Sequence, residues 1–356
     1  MKLRAILFFL YLSISSYAQE QEKSKFNWSA YIDIYYQYDF NKPSNNNRPS
    51  FVYSHNRHNE FNLNLGYLKA GYADSNVRAN LALAAGTYMN ANYASEPDLL
   101  RNIFEANAGI RLGRKNNLWL DAGIFSSHIG FETAISKDCW TMTRSMMADN
   151  SPYYEAGARL TYTTNNGRLL ISLLALNGWQ RIKRLNGNSL ISWGSQFQYK
   201  PNSRVLINYS NFIGTDKPDS ARQMRYFHNV YSSMELSDRL SVLIGFDIGQ
   251  EKRLGSVGYD TWFTPVGIVK YKATNLFSIS GRVEHYNDRS EVIIASNTQN
   301  GFQTNSYSLT LHYLVRENAM LRVEARSFKS KDKVFEKNNI PANSNYLIAC
   351  SLAINL

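Results

Sequence analysis

From Phe26 to Phe40 the chain alternates with a period of two. The even positions are Phe26, Trp28, Ala30, Ile32, Ile34, Tyr36, Tyr38 and Phe40, and the odd ones are Asn27, Ser29, Tyr31, Asp33, Tyr35, Gln37 and Asp39. Successive side chains of a strand point to opposite faces, so a strand here separates an apolar medium from a polar one. The pattern returns at the end of the chain. Tyr346, Ile348, Cys350, Leu352, Ile354 and Leu356 share one face there, and Ala349, Ser351, Ala353 and Asn355 share the other, with Leu347 as an exception. Between these segments, period-two runs bounded by turn residues predict strands over residues 61–73, 77–89, 103–112, 118–125, 153–163, 168–177, 190–199, 204–213, 225–236, 240–249, 261–272, 276–286, 305–315 and 320–328. The total is about 16 strands, and a misread hairpin would move it to about 14 or 18. Most run for about 9–11 residues, the length with which a tilted strand crosses a bilayer.

The connections sort by parity. After the even-numbered strands they are tight, as in Asp74-Ser75-Asn76, Asn165-Asn166-Gly167, Pro201-Asn202-Ser203 and Ser237-Asp238-Arg239, with Asn, Gly, Pro and Asp at the bends. After the odd-numbered strands they are long, as over residues 41–60, 126–152, 287–304 and 329–343. Short turns on one rim and long loops on the other mark an outer-membrane barrel with periplasmic turns and external loops. Hydrocarbon leaves no backbone N–H or C=O unpaired, so a sheet with an apolar outer face must close on itself. The prediction is an all-β, transmembrane, antiparallel up-and-down barrel. At this strand number the lumen is too wide for wall side chains to fill, and water is expected there. By parity the candidate pore-lining residues are Asp33, Arg78, Arg111, Glu155, Arg159, Arg282, Glu284, Arg322, Glu324 and Arg326, with Asp39, Glu105 and Asp247 on the same face.

Composition excludes other classes. Mean hydropathy is −0.38, and the longest apolar run past the N-terminus is the short segment 169–176. A helical membrane protein needs runs of about 20 apolar residues. A net charge of +11 first suggests nucleic acid. Residues 1–18 weigh against that, because they read as a secretory signal: Lys2 and Arg4, then the apolar run AILFFLYL, then Ser16 and Ala18 before Gln19. The mature chain is expected to be one barrel over 19–356 in the cell outer membrane. Its expected partners are outer-membrane lipids and lipopolysaccharide, the barrel-assembly machinery, small hydrophilic solutes and, as a candidate, a second copy of itself. Nucleic acid is not among them. Cys139 and Cys350 are read as unpaired. Aromatic residues make up 13% of the chain, and those near strand ends, namely Tyr36, Tyr38, Phe40, Trp262, Tyr313 and Tyr346, are expected to form interfacial girdles.

The third external loop, about 126–152, stands apart. It carries Ile129, Phe131, Ile135, Trp140, Met142, Met146 and Met147, which need something to pack against. The reading is that it folds into the lumen and narrows it, with Lys137, Asp138, Arg144 and Asp149 as candidate constriction residues; the alternative is an external cap on neighbouring loops. Two other constellations carry weak signals. His55, His58 and Glu60 could hold a metal, but they lie in a loop without helical spacing. Ser127-His128 suggests a hydrolase, yet adjacent strand residues face opposite ways and no third group is visible to hold the base. There is no Gly-rich phosphate loop and no zinc-type cysteine spacing, and Gly-Arg-Lys at 113–115 reads as a basic turn. No cofactor, metal or catalytic residue is expected.

Three segments carry a resemblance. They are AGIFSSHIGFE from Ala122 to Glu132, TRSMMADNSPYYEAGARL from Thr143 to Leu160, and LNGWQRI from Leu176 to Ile182. The chain resembles the OmpL-like β-barrel porins of Bacteroidetes-type bacteria across its mature length. The resemblance implies an outer-membrane channel with no catalytic residues to carry over and no assigned solute. One departure is the terminal Leu356, where many barrels end in an aromatic residue that the assembly machinery reads. The functional expectation is a non-enzymatic porin passing small hydrophilic solutes or ions through a water-filled lumen. The alternative is a barrel acting through its external loops as an adhesin or structural anchor, or less favourably a lipid-acting enzyme.

Overall fold

The computed structural model describes residues 25–113 and 116–356. The segment 1–18, read above as a secretory signal, and the basic pair at 114–115 lie outside the described residues. The chain forms β1 (Phe26–Asp39), β2 (Phe61–Ala73), β3 (Val77–Ala85), β4 (Ile103–Arg111), β5 (Leu118–Ser126), β6 (Tyr154–Thr163), β7 (Leu169–Leu176), β8 (Ser192–Asn202), β9 (Val205–Gly214), β10 (Arg225–Glu235), β11 (Leu240–Lys252), β12 (Tyr259–Lys272), β13 (Phe277–Asp288), β14 (Phe302–Arg316), β15 (Ala319–Ser330), β16 (Phe335–Lys337), β17 (Ile340–Ala342) and β18 (Ser344–Asn355). All except β16 and β17 make one closed antiparallel barrel, and those two pair with each other as a small hairpin in the last long loop. Closure is made between the first and last barrel strands, in register from Tyr31 opposite Asn355 to Asp39 opposite Leu347. The barrel therefore has sixteen strands, the number the alternation gives.

The alternation decides which face meets lipid. On β1 the even positions Ile32 and Ile34 are exposed, while Tyr31, Asp33, Tyr35, Gln37 and Asp39 are buried inside. Leu347, the exception in the last strand, points inward and is buried. Ile244, Val283, Leu309 and Leu352 lie bare on the outer wall, as a face solvated by hydrocarbon must. Aromatic side chains gather at both outer rims: Phe26, Trp28, Tyr199 and Phe277 on the short-turn side, and Phe40, Phe61, Trp193 and Tyr346 on the other.

Three expectations are corrected. The third strand stops at Ala85 instead of continuing to Met89, and Thr87–Asn92 forms a short helix, α1, with Tyr88 and Met89 buried. Gly86 turns the chain there with φ 131°, and a Cβ at that position would sit 2.4 Å from the Asn64 carbonyl oxygen. Trp262 is not a girdle residue. It faces inward opposite Gly249, fully buried, where only a residue without a side chain leaves room for the indole. Finally, β11 and β12 extend far enough that residues 253–258, nominally a long connection, are as short as the turns of the opposite rim.

Candidate functional site

Residues 127–153, the third long loop, lie inside the barrel, with Thr141, Met142, Thr143, Arg144 and Ser145 fully buried. A short helix within it, α2 (Met146–Asp149), starts with the Ser145 side chain accepting from the Ala148 N–H. Putting a loop in a protein interior strands its backbone polar groups, and each needs a partner. The inward charges of the wall supply them. The Glu324 carboxylate accepts from the Met142 and Thr143 N–H groups at 2.9 and 3.2 Å, from the Thr143 hydroxyl and, at 2.6 Å, from Thr310. Glu284 accepts from the Met146 N–H at 2.6 Å. Arg282 donates to the Thr141 hydroxyl at 2.9 Å and the Thr143 carbonyl at 2.7 Å, and Arg326 donates to the Arg144 carbonyl at 2.8 Å. Arg326 also pairs with Glu284 at 2.5 Å. Lower down, Arg322 donates to the Ser136 carbonyl at 2.6 Å, and Asp33 accepts from the Ser136 hydroxyl at 2.6 Å and faces His55 at 3.1 Å.

Hydrogen bonds with an ionised partner are about twice as strong as neutral ones, so this wall is a seat for the loop. Asp33, Arg282, Glu284, Arg322, Glu324 and Arg326 face inward as parity requires, yet none lines open water; each is buried. The expectation of a lumen filled by water fails at this height because the loop fills it.

The candidate constriction residues separate. Arg144 is fully buried and turned into the loop. Its guanidinium donates to the carbonyls of Thr133, Ala134 and Met142, at 2.6, 2.8 and 3.2 Å, and holds the loop in its own fold. Asp149 is buried and accepts from Ser54 at 3.3 Å. Burial pushes its carboxyl up to about 7, against the pull of Arg326 and Arg144. Lys137 reaches the Glu317 carbonyl at 3.0 Å, which lies in the turn after β14, so the loop spans the lumen down to the short-turn rim. Asp138 is exposed and lines a cavity of about 130 Å³ together with Trp140, Tyr231 and Leu243.

The opposite wall differs. On β2–β6, Arg78 pairs with Asp121 at 2.5 Å with about a third of its side chain still exposed (34%), and Arg159 lies 3.9 Å from the same carboxylate, 27% exposed. Lys69 pairs with Glu105 at 2.6 Å. Arg111 sits at the short-turn rim, bonded to the Asn116 carbonyl at 3.1 Å. Glu155, also on this side, is buried against the loop: His128 Nδ1 lies 2.9 Å from its carboxylate and His128 Nε2 lies 2.8 Å from the Asn211 carbonyl. Two acceptors require both ring nitrogens to donate, which is the imidazolium. Burial alone would lower this pKa, but Glu155 and the Asn211 carbonyl reverse the sign and raise it. Gly194 of β8 gives His128 its place, since a Cβ there would meet the ring at 2.8 Å.

The motif readings resolve the same way. Ser127 also donates to Glu155, at 3.2 Å, so His128 has no free nitrogen to take the serine proton. His55 turns to Asp33, His58 Nδ1 accepts from the Asp39 N–H and Glu60 pairs with Arg57, so the three do not converge. Among the described residues no cluster of metal-ligand type is present. The residues that parity alone missed are those of the loop itself: Glu132, which accepts from the Ser145 N–H at 2.9 Å and lies 3.7 Å from Arg282, and Ser136 and Thr143. Glu132 and Thr143 stand within segments that carry the family resemblance; Ser136 has no signal in sequence.

Beyond the loop the lumen opens at both ends. A cavity of about 720 Å³ on the long-loop side is lined by Arg48, Tyr53, Lys333, Glu336 and Asn345 among others. One of about 490 Å³ on the short-turn side includes Arg239, Lys270, Lys272 and His312, with Trp140 of the loop.

A wide barrel with an inward loop between two mouths is the architecture of a channel, and the family comparison agrees. The model described as "Putative beta-barrel porin-2, OmpL-like" matches residues 25–356. The chain belongs to this family of OmpL-like β-barrel porins. It is an outer-membrane porin, with its short turns periplasmic and its long loops external. No curated protein matches it. Among solved structures, the porin is similar to the outer membrane channel DcaP of Acinetobacter baumannii, with a TM-score of 0.63 at 10% identity over 93% of this chain and 97% of that one. It is similar to an anion-selective porin from Comamonas acidovorans, with a TM-score of 0.61 at 8% identity over 93% and 99%. The OmpF of Salmonella typhi, in a complex with daunomycin, gives 0.60 at 8% identity over 93% and 97%. At these identities the likeness is one of fold.

Proposed function

We propose that the porin gives passive, non-enzymatic diffusion of small hydrophilic solutes or ions, and that solutes pass the third loop along the β2–β6 wall of the lumen, beside Lys69, Arg78 and Arg159. The observation that carries this reading is the asymmetry of the inward faces. The loop is tied to β1, β13 and β15, and through His128 and Gly130 to the long-loop ends of β6, β9 and β10, while Lys69, Arg78 and Arg159 keep partly exposed charged groups. A partly hydrated charged wall facing a packed loop is what a selective aqueous path requires. In this reading Arg78, Arg111 and Arg159 line the path, and Asp33, Glu155, Arg282, Glu284, Arg322, Glu324 and Arg326 hold the loop that narrows it. Lipids, lipopolysaccharide included, solvate the outer face, and the barrel-assembly machinery inserts the chain. The test is single-channel conductance of the purified protein in a planar bilayer, beside a variant with the loop shortened between Ala134 and Ala148. A conducting wild type with a more conductive variant supports the reading; a wild type that conducts nothing sinks it.

A further inference from the structure

The periplasmic cavity of about 490 Å³ carries an imbalance of charge that the loop seat does not use. Lys270 and Lys272 project inward from β12, two residues apart, with Ser241 and Ser280 opposite Lys270 on the flanking strands and Ser278 opposite Lys272. Arg239 adds a third cation from the turn before β11. Two acids also line the cavity, Glu235 and Asp238, and Asp238 is held by Arg204 at 2.8 Å. Among the described residues neither lysine ammonium has an ion pair or a side-chain hydrogen bond, and the charges acting on Lys270 are those of Arg322 and Lys272, both cations. Elsewhere in the lumen Arg326 is matched by Glu284, Arg78 by Asp121 and Lys69 by Glu105. In this cavity three cations stand against one acid, Glu235, that no ion pair among the described residues engages.

We propose that Lys270, Lys272 and Arg239, roofed by Trp140, form an anion-binding subsite in the periplasmic mouth, which takes small oxyanions of the phosphate or carboxylate class. The inference rests on the channel reading only for its effect on ion flow, not for binding. A cleft lined by one sign of charge between low-dielectric walls focuses the field and concentrates counter-ions. Ser241 and Ser278 beside the lysines and the Trp140 ring give the anion donors and a surface to lie against.

The experiment uses inorganic phosphate with the full-length folded barrel, the K270Q/K272Q double variant, and K333Q in the external vestibule as a control. Heat-modifiable migration on gels confirms that each variant is folded. Calorimetric titration should show phosphate binding to wild type and K333Q that is lost in K270Q/K272Q. In bilayers, phosphate added on the periplasmic side should block chloride current in wild type and not in the double variant, and the ratio of anion to cation permeability should fall several-fold in that variant. Equal phosphate affinity in wild type and the double variant, or no binding to either, overturns the subsite. A barrel that binds phosphate through these lysines but conducts nothing keeps the subsite and defeats the channel reading. A conducting barrel whose affinity and selectivity ignore both lysines does the reverse.

Discussion

Two inward faces of this barrel use the same residue types to opposite ends. On β13–β15, Arg282, Glu284, Glu324 and Arg326 are buried and take loop backbone and one another as partners. On β2–β6, Lys69, Arg78, Glu105 and Arg159 pair across strands and stay partly exposed. Both sets satisfy the same parity rule. A buried charge that has lost its water must be fully partnered, and the loop serves as that partner; a charge still touching water needs much less. Inward direction is a property of a strand, whereas solvation is a property of what stands opposite.

The largest expected contrast is between Glu324→Ala and Glu105→Ala. Removing Glu324 leaves Arg282, two loop N–H groups and two hydroxyls with less to bind. Breaking a buried ionic network in this way costs about 3–5 kcal/mol. The exchange at Glu105, whose pair with Lys69 is partly exposed, should cost under about 1 kcal/mol. Denaturant unfolding of the detergent-solubilised barrel measures both, and equal losses would erase the distinction between the walls. By the same logic, shortening the loop lowers heat stability as well as raising conductance.

Next in size is the outer face against the water-facing inner one at the same depth. Leu173 points to lipid next to inward Ser172, which pairs with Thr161. Arg at Leu173 should cost about 2–4 kcal/mol near the midplane. Arg at Thr161 should be tolerated, as seen in the yield of folded, heat-modifiable barrel. If both substitutions impair folding alike, the β6 interior is packed rather than hydrated.

A smaller effect is expected in ion preference. Arg78→Gln and Arg159→Gln should each shift reversal potential toward cations under a salt gradient, more at low ionic strength, where screening is weak. Arg144→Gln should leave selectivity nearly unchanged while weakening the fold, because its guanidinium binds only loop carbonyls. A large selectivity change at Arg144 would put it back beside the solute.

The smallest effect is pH-dependent. The His128 imidazolium has a raised pKa in the folded porin. Its tie to Glu155 is therefore complete below the unfolded value of about 6.5 and is lost as pH rises through the folded one. Open-channel noise should grow toward alkaline pH and lose that dependence in His128→Gln. Asp149 titrates near the same range, so the comparison belongs in an Asp149→Asn background.

Local rules carried a large part of this molecule. A period of two in β1 and β18, turns such as Asp74-Ser75-Asn76 and an apolar outer face that lipid requires determine a closed barrel, its sidedness and the inward direction of every candidate wall residue. The Met- and Ile-rich composition of the third loop also announces that it must pack against something. The same local rules misplace Trp262, because Trp262 and Phe263 are both bulky and only Gly249 on the neighbouring strand shows which one fits inside. They carry β3 too far, because the turn at Gly86 is dictated by an approach to Asn64. They also read Arg144 as a charge for solutes when its partners are Thr133 and Ala134 carbonyls, and they read Glu324 as pore lining when it binds Met142 and Thr143. Alternation is set by neighbours along one strand, so sequence alone determined it. The partner of a buried charge comes from a segment far away along the chain, brought in only when the barrel has closed around the loop, and only the tertiary structure decided that.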